Sequence, residues 1–436
     1  MIEAAFGVGS SIFAETTNRL SRIYSEADHV PQVAARFHEW QRFRGQTVAS
    51  PATEEPLFIH QTYLALLARL VARSFVAPRR PISNSEELLE VINVDYFSRR
   101  GIGNFGEGDV FSWPLIEKRW ELGLDDLILE TMQGLADTVA THDFSNASSG
   151  ILDSIYLQIG PAFGPVPRWL AEYAVEAELG MADDSGLSLV DPSCGTGTFL
   201  CAAVGAMSHA IEKTGGDQMD VLFDAPERIR GMDSDPLAVS LARLNYLLAL
   251  GDLVQELHPP FLMPVYLADP SSSAKFQPLA SVDDVVTITT TEGDFSLPAP
   301  VIENPLILDW VLGRLTNYMG GAQLRLHVQE EEVAIQEVLN AYYNYLTSPK
   351  PRTPVPEALT PQQADTLLET AKSLIQLHIR GEGTLWLHLV QNMAAPMFFA
   401  HRGFDRLTGR GSAAKLVTSG SSFLRTDGRA AVVLPA

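Results

Sequence analysis

The first third of the chain carries apolar residues at the spacing of buried helices. Between Tyr63 and Val71, apolar side chains recur at positions i, i+3, i+4, i+7 and i+8, which places them on one helix face. Residues 101–114 interrupt this pattern with a segment rich in glycine and aromatic residues, and such a segment is typical of an ordered loop. We therefore predict a mostly helical domain over residues 1–148.

Beyond residue 149, short apolar runs alternate with helical patterns. The predicted elements are strands at 187–190, 228–232 and 265–268, and helices at 198–213 and 236–250. Asp235, Pro236 and Gly251 stand where a helix N-cap, a first helical residue and a C-terminal glycine are expected. This βαβαβ succession predicts an α/β fold with a parallel, doubly wound sheet.

A hairpin and further helices separate this part from the last predicted strands. The hairpin joins 285–290 to 295–297 through Glu-Gly-Asp, and the proline-rich residues 348–356 predict a stiff linker. Helices are predicted at 307–346, with a break at Gly320-Gly321, and at 361–380. The fourth strand is predicted to begin at 403–407, and the fifth strand is predicted at 428–435. The predicted domains are therefore 1–148, 149–300, a helical insertion at 301–400, and the remaining strands at 401–436.

Composition limits the partners. The chain has 436 residues, with 31 Lys plus Arg against 53 Asp plus Glu and a formal net charge of -22. Because phosphate contacts need clustered basic residues, the surface as a whole is not expected to bind nucleic acid. An arginine cluster at residues 402, 406, 410, 425 and 429 is open to two interpretations, solvated loop charge or a rim that contacts phosphates.

Cysteine content and hydropathy indicate the compartment. Two cysteines, Cys194 and Cys201, can build neither a disulfide framework nor a four-ligand zinc site, and we expect a reducing, cytoplasmic setting and no metal. The most apolar long segment, residues 57–76, contains His60, Arg69 and Arg73. It is better explained as a buried amphipathic helix than as a membrane span, so no membrane partner is expected.

The motif that says most about chemistry follows the predicted strand at 187–190 and begins the next helix. Its sequence is Asp191-Pro-Ser-Cys-Gly-Thr-Gly-Thr-Phe-Leu200. Glycines lack a Cβ, so backbone N–H groups there can approach a ligand closely. A dinucleotide motif would need a third glycine, where Leu200 stands, and a phosphate loop would need Gly-Lys-(Ser/Thr), which is absent. An acidic residue at the strand end favours a ligand with an ammonium group over a pyrophosphate.

This decapeptide resembles motif I of S-adenosylmethionine-dependent methyltransferases, in the form found in N6-adenine DNA methyltransferases of restriction-modification and phage-defence systems. The resemblance implies a class I methyltransferase fold, Rossmann-like and doubly wound, with an N-terminal helical domain and a helical insertion. It also implies that residues 149–300 bind S-adenosylmethionine. The implied cofactor contacts in this segment are Asp191, Pro192, Cys194, Gly195, Thr196, Gly197, Thr198 and Phe199.

Later segments resemble motifs II and III of the same family. Gly231-Met-Asp-Ser-Asp235 implies that Asp233, beside Ser234, accepts hydrogen bonds from both ribose hydroxyls, whereas Asp235 is better explained as the helix cap. Val265-Tyr-Leu-Ala-Asp269 implies that Asp269 accepts from the adenine amino group. An aspartate before proline could equally form a turn.

Upstream, residues 159–171 resemble motif X, an aromatic-Thr-Pro segment ahead of a helix. Phe163 and Pro165 match, but Gly164 replaces the threonine. The resemblance therefore implies a backbone contact to the cofactor's carboxylate but no contact from a threonine hydroxyl. The N-terminal segments 37–40, 57–64 and 104–113 also resemble the helical region of large single-chain members. The resemblance therefore spans most of the chain.

The family's catalytic segment, (Asn/Asp/Ser)-Pro-Pro-(Tyr/Phe/Trp) after the fourth strand, has no counterpart in the sequence. His258-Pro-Pro-Phe261 precedes motif III and is interpreted as a loop entering the third strand, and Asn304-Pro305 as a helix start. We expect the segment to be missing between Leu407 and Thr408, and the target-recognition region to be missing after Ala436. No catalytic residue is assigned.

Three hypotheses remain open. The first is a DNA adenine N6-methyltransferase region of a restriction-modification or phage-defence system, with DNA bound weakly or through the missing C-terminal region and other defence subunits as further partners. The second is a catalytically silent cofactor-binding or scaffold subunit of a defence complex. The third is a small-molecule or protein methyltransferase. Fold alone cannot separate them.

Overall fold

The computed structural model of the chain describes residues 2–45, 51–78, 80–107, 109–115, 121–159, 165–269, 285–303, 305–325, 330–348, 359–382, 385–411 and 420–434. Two compact units are present. The first comprises Met1–Pro270 with Phe404–Ala436, and the second comprises Ser271–Gly403. The domain boundaries at 148, 300 and 400 stay predictions.

The N-terminal part of the first unit is built mainly of helices. They are α1 Ile2–Phe6, α2 Ser11–Ala27, α3 Pro31–Phe43, α4 Pro51–Val76, α5 Ser85–Ile92, α6 Asp95–Arg99 and α7 Asp125–Ala140. Helix α4 is buried from Tyr63 to Arg73, and its Arg69 and Arg73 form ion pairs with Asp109 and Glu87. These pairs offset the cost of burying two guanidinium groups. In the described part of the chain, no helix is long and apolar enough to cross a bilayer.

The predicted ordered loop at 101–114 contributes one strand to a small two-stranded sheet. Its strand β1, Ile102–Gly103, pairs in parallel with β4, Phe261–Leu262, and a 3-10 helix follows at Val110–Leu115. Asn104 accepts a hydrogen bond from the buried Arg243 at 3.0 Å and donates one to the Met263 carbonyl at 2.8 Å. The interpretation of residues 258–261 as a plain loop is therefore incomplete, because Phe261 belongs to this strand pair.

The centre of the first unit is a parallel sheet of five strands. They are β2 Leu189–Asp191, β3 Ile229–Asp233, β5 Val265–Leu267, β8 Phe404–Arg410 and β9 Leu424–Val433. Their order in the sheet is β5-β3-β2-β8-β9, and each neighbouring pair is parallel. The predicted α/β fold with a parallel sheet is confirmed, and it is compatible with a Rossmann-like fold. The strand order reverses between β2 and β8, and ligands of such sheets bind at the carboxyl ends of the strands beside a reversal.

The connecting helices follow the sequence signals closely. They are α8 Asp153–Ile159, α9 Arg168–Tyr173, α10 Thr198–Lys213, α11 Met219–Arg228 and α12 Pro236–Ala249. Asp235 caps α12 by accepting hydrogen bonds from the backbone N–H groups of Leu237 and Ala238, at 2.8 and 3.1 Å. Gly251 follows the helix with a φ of 67°, a conformation that costs glycine little. Helix α11 had no counterpart in the prediction.

Strand β8 corrects the expectation of a gap between Leu407 and Thr408. The strand continues without interruption to Arg410, because Leu407 pairs with Ala430, Thr408 with Ala431 and Arg410 with Val433 of β9. The predicted last strand, 428–435, begins earlier, at Leu424. The fourth strand of the sheet therefore ends at Arg410, and the catalytic segment of the family would have to follow there.

The second unit contains the predicted hairpin and the helices of the insertion. The hairpin pairs β6, Val285–Thr290, with β7, Gly293–Pro298, in antiparallel register. The helices are α13 Ala299–Ile302, α14 Pro305–Arg325, α15 Glu331–Thr347, α16 Pro361–Leu377, α17 Leu385–Met393 and α18 Ala395–Arg402. Most of the predicted linker, residues 349–356, lies outside the described residues.

The predicted break at Gly320-Gly321 is wrong. Helix α14 runs through both glycines to Arg325. Its buried residues Leu308, Leu312, Leu315 and Met319 form one apolar stripe. Each glycine costs a helix only about 1 kcal/mol relative to alanine, and burial of an apolar side chain of this size contributes more than that, roughly 1.5–3 kcal/mol.

Candidate functional site

The loop between β2 and α10 has a backbone that two glycines make possible. Gly195 and Gly197 have φ values of +54° and +85°, in the left-handed region that other residues rarely adopt. A Cβ on Gly197 would lie 3.2 Å from the Cα of Ala242, so this glycine also lets α10 begin against α12. A Cβ on Gly195 would meet no atom within 4 Å. The backbone at Gly195 is therefore open to a ligand.

The end of strand β3 holds this loop in place. The Oδ2 atom of Asp233 accepts a hydrogen bond from the Gly195 N–H at 2.8 Å, and its Oδ1 atom accepts one from the Asp235 N–H at 2.9 Å. A Cβ on Gly231 would lie 2.6 Å from Leu200 Cδ1 and 3.1 Å from Cys194 Cβ. Only glycine at this position allows β3 to approach the loop so closely.

Asn245 supports the loop from the other side. This buried residue of α12 donates from Nδ2 to the Thr196 carbonyl at 2.9 Å, and its Oδ1 accepts from the Gly150 N–H at 2.8 Å. One side chain thus joins α12, the loop after β2 and the segment that leads into α8. A buried amide with both ends engaged restricts the positions that the loop can take.

Two carboxyl groups in the site have raised pKa values. Asp191 is fully buried, and burial raises its pKa to about 8, even though its Oδ1 accepts from the Ser193 N–H at 3.0 Å. Burial also raises the pKa of Asp233, to about 6. At neutral pH, Asp191 is therefore mostly protonated and Asp233 mostly ionised.

Two buried polar atoms beside the strand reversal lack a partner among the described residues. They are Oδ2 of Asp191 and Oγ1 of Thr408. Thr408 follows Leu407, which pairs with Val190, so Thr408 is the next residue in register beside Asp191, the last residue of β2. Buried groups of this kind normally bond to a protein group, a water or a ligand.

A cleft of about 190 Å³ opens above the loop. The described residues that line it are Tyr156, Pro165, Val166, Ser193, Cys194, Gly195, Thr196, Thr198, Phe199, Asp233, Asp235, Ala238 and Arg410. Sequence patterns pointed to Pro165, Cys194, Gly195, Thr196, Thr198, Phe199 and Asp233. The structure brings these seven predicted residues together around one space.

The other predicted residues lie elsewhere. Asp191, Pro192 and Gly197 are buried in or beneath the loop, and Ser234 is half-buried beside Asp233. Asp269 is exposed, two residues past the end of β5. Phe163 and Gly164 lie outside the described residues.

Sequence reasoning missed several lining residues, among them Tyr156 and Arg410. Tyr156 comes from α8, and no motif marks it; burial, together with the charges of Asp235 and Asp233, raises the pKa of its phenol, which stays a hydrogen-bond donor. Arg410 ends β8, and its carbonyl accepts from the Ser193 hydroxyl at 3.2 Å. It would have been found had the fourth strand been extended to residue 410, since the ends of neighbouring parallel strands meet at one sheet edge.

The donors and acceptors of the cleft suit a nucleoside. An ionised carboxylate offers about four lone-pair sites, and Asp233 accepts backbone hydrogen bonds from Gly195, Asp235 and Ser234, so acceptor capacity for a ligand hydroxyl remains. The Gly195 N–H is engaged by Asp233, so the nearby donors among the lining residues are the backbone N–H of Thr196 and the phenol of Tyr156. No group of three or more metal-ligating side chains occurs in the described part of the chain.

Comparisons with known proteins give weak likenesses. No protein-family model matches the chain, and no curated protein sequence matches it. The cryo-EM structure of a DrdV–DNA complex aligns with a TM-score of 0.36 and 12% identity, over 61% of this chain and 25% of that one. A nuclease-deletion mutant of the Type ISP restriction-modification enzyme LlaGI, in complex with a DNA substrate mimic, aligns with a TM-score of 0.31 and 14% identity, over 63% and 21%. The chain thus spans about a quarter and about a fifth of the lengths of these two.

Proposed function

We propose that the chain is the S-adenosylmethionine-binding region of an N6-adenine DNA methyltransferase of the restriction-modification or phage-defence type, with a class I methyltransferase fold. One observation carries the proposal: the carboxylate of Asp233 and the glycine loop at 195–197 meet at the carboxyl edge of the sheet, beside the reversal of strand order. These are the positions of motifs I and II in the family that the sequence resembles. Such proteins act in the cytoplasm, with DNA and other defence subunits as partners.

The residues that would hold the cofactor follow from the chemistry of the cleft. Asp233 would accept from the ribose hydroxyls, and the backbone N–H of Thr196 would donate to an acceptor atom of the cofactor. Pro165, at the cleft wall ahead of α9, would contact the amino-acid part. When bound, S-adenosylmethionine supplies an activated methyl group.

The same geometry favours binding without methyl transfer. The exocyclic amine of adenine is a poor nucleophile, and the family activates it with hydrogen-bond acceptors and a stacking ring after the fourth strand. In this chain the fourth strand ends with Arg410, followed by Gly411-Ser-Ala. The side chain of arginine has no acceptor atom. We therefore propose that this chain binds the cofactor within a defence complex and does not itself methylate DNA.

The first experiment is titration calorimetry of the folded chain with S-adenosylhomocysteine, both alone and in competition with a nicotinamide dinucleotide. We expect a single site for the former and no competition from the latter, since a carboxylate beside a pyrophosphate is unfavourable. No heat at millimolar S-adenosylhomocysteine with folded protein would rule out the proposal. Equal competition by the dinucleotide would favour a dehydrogenase-like site.

A further inference from the structure

Tyr156 brings a hydroxyl without a hydrogen-bond partner to the candidate cleft. The residue lies on α8, is only 4% exposed and lines the cleft. Its phenol oxygen makes no hydrogen bond within the part of the chain that the structure describes. The hydroxyl of a buried tyrosine normally has a partner, so this one is available to a molecule in the cleft.

The phenol lies near the carboxyl groups at the end of β3. Burial raises the pKa of the phenol, and the charges of Asp235, Asp233 and Asp153 raise it further. Asp233 and Asp235 line the same cleft, and Asp153 precedes Tyr156 by three positions on α8. The phenol therefore keeps its proton in a surrounding that is rich in acceptors.

The two cleft carboxyl groups are engaged with the backbone instead of with the phenol. Asp235 accepts from the first N–H groups of α12 at 2.8 and 3.1 Å. Asp233 accepts from the Gly195 N–H at 2.8 Å and from the Asp235 N–H at 2.9 Å. Each carboxyl group thus has a structural role, and the phenol proton remains for a ligand.

A ligand group at this end of the cleft has to match an acceptor and a donor together. Asp233, whose pKa burial raises to about 6, is mostly ionised at neutral pH and only accepts. An ammonium group would satisfy Asp233 but offers no lone pair to the phenol, and a carboxylate or phosphate would be repelled by Asp233. A hydroxyl donates through its hydrogen and accepts through its oxygen, so one hydroxyl serves both residues.

We propose that Tyr156 donates a hydrogen bond to a ribose hydroxyl whose own proton is accepted by Asp233. The inference rests on the proposed function and deepens it, because it assigns ribose recognition to a residue outside the motifs that the sequence resembles. Asp233 by itself would accept from an amino group as readily as from a hydroxyl. Together with the phenol it selects a ligand with a free sugar hydroxyl.

The experiment removes the two bonding groups separately and together. Tyr156→Phe keeps the ring and loses only the hydroxyl, and the 2′-deoxy and 3′-deoxy analogues of S-adenosylhomocysteine each lose one sugar hydroxyl. Titration calorimetry measures the affinity of wild type and variant for all three ligands. Tyr173→Phe, at an exposed tyrosine of α9 outside the described cleft lining, is the matched control. Thermal unfolding without ligand compares the stabilities.

Tyr156→Phe should bind S-adenosylhomocysteine about three- to tenfold more weakly than the wild type, the value of one hydrogen bond. With one of the two deoxy analogues the variant and the wild type should bind alike, because the phenol then has no hydroxyl to contact. Without ligand the variant should unfold at the wild-type temperature or slightly above it, since its hydroxyl has no protein partner to lose. Tyr173→Phe should bind all three ligands as the wild type does.

Two results would overturn the assignment of Tyr156 while the proposed function stands. One is wild-type affinity of Tyr156→Phe for S-adenosylhomocysteine. The other is an equal loss of affinity for all three ligands, which would show that the hydroxyl acts on the protein or on another part of the ligand. If S-adenosylhomocysteine does not bind to the folded wild type, the proposed function fails and this inference fails with it.

Discussion

Asp233 accepts a hydrogen bond from the backbone N–H of Gly195 at 2.8 Å. This bond joins the end of one strand to the loop that follows its neighbour, and it orients a half-buried carboxylate toward the cleft. The ligand-binding hypothesis depends on this pair, because the carboxylate fixes the loop and still has lone pairs for a ligand.

The charge of Asp233 should matter for binding. We expect Asp233→Asn to weaken binding of S-adenosylhomocysteine by roughly 1–3 kcal/mol, because charge-assisted hydrogen bonds to the ribose are lost. Asp220→Asn, on the exposed first turn of α11, is the matched control and should bind as the wild type does. Calorimetry measures both; equal affinities in the two variants would contradict the assignment of Asp233.

Binding should also depend on pH. The pKa of Asp233 is raised to about 6 by burial, so its carboxylate is ionised above that pH and gains a proton below it. A protonated carboxyl group has fewer acceptor sites, and affinity for S-adenosylhomocysteine should be level above about pH 7 and fall as the pH drops through 6. In Asp233→Asn the profile should be flat over this range. A wild-type profile without this fall would show that Asp233 does not hold the ligand.

Asp191 should make stability depend on pH in the opposite sense to an ordinary paired carboxylate. Its folded pKa is raised to about 8, so between its unfolded value and pH 8 the folded state binds more protons than the unfolded state. The free energy of unfolding then falls as pH rises, by up to about 1.4 kcal/mol per pH unit.

Asp191→Asn keeps the acceptor for the Ser193 N–H and removes the titration. Between about pH 6.5 and 8, Asp191 is the site carboxyl whose protonation should differ most between the folded and unfolded states. The free energy of unfolding, measured by urea denaturation, should therefore fall less steeply with pH in the variant than in the wild type. At the upper end of this range the variant should be the more stable of the two. Parallel slopes would mean that Asp191 is ionised in the folded protein.

The backbone at Gly197 should tolerate no side chain. With a φ of +85° and the Cα of Ala242 only 3.2 Å from where a Cβ would stand, Gly197→Ala should destabilise the protein by about 1–2 kcal/mol or more. Gly205→Ala on the exposed face of the same helix meets no atom within 4 Å and should be neutral or stabilising by about 0.5–1 kcal/mol. Denaturation midpoints compare the two; similar losses would point to a nonspecific effect on α10.

Methyl transfer should be absent. Incubated with adenine-containing DNA and labelled S-adenosylmethionine, the chain should incorporate no label above the level of Asp233→Asn, because proximity to the donor does not activate the amine. Formation of N6-methyladenine above that background would show that the catalytic segment lies elsewhere in the chain. His258-Pro-Pro-Phe261 would then be the first segment to mutate.

The amino-acid sequence alone determined the local parts of this site. Helix α10 has the bounds 198–213 expected from its apolar pattern, and α12 begins at Pro236 behind its Asp235 cap. Caps, glycine turns and helical periodicity involve residues within a few positions of each other, so one stretch of sequence contains the whole signal. The glycine loop and Asp233 were found for the same reason.

Tertiary structure decided which distant residues join them. Ser188 donates its backbone N–H to Asp405 at 2.9 Å across a separation of 217 positions, and this pairing of β2 with β8 brings Arg410 to the cleft. Packing also buries Asp191. It likewise allows α14 to continue as a helix across Gly320-Gly321. Strand adjacency, burial and the pKa values that follow from burial depend on which elements pack together, and no local pattern contains that information.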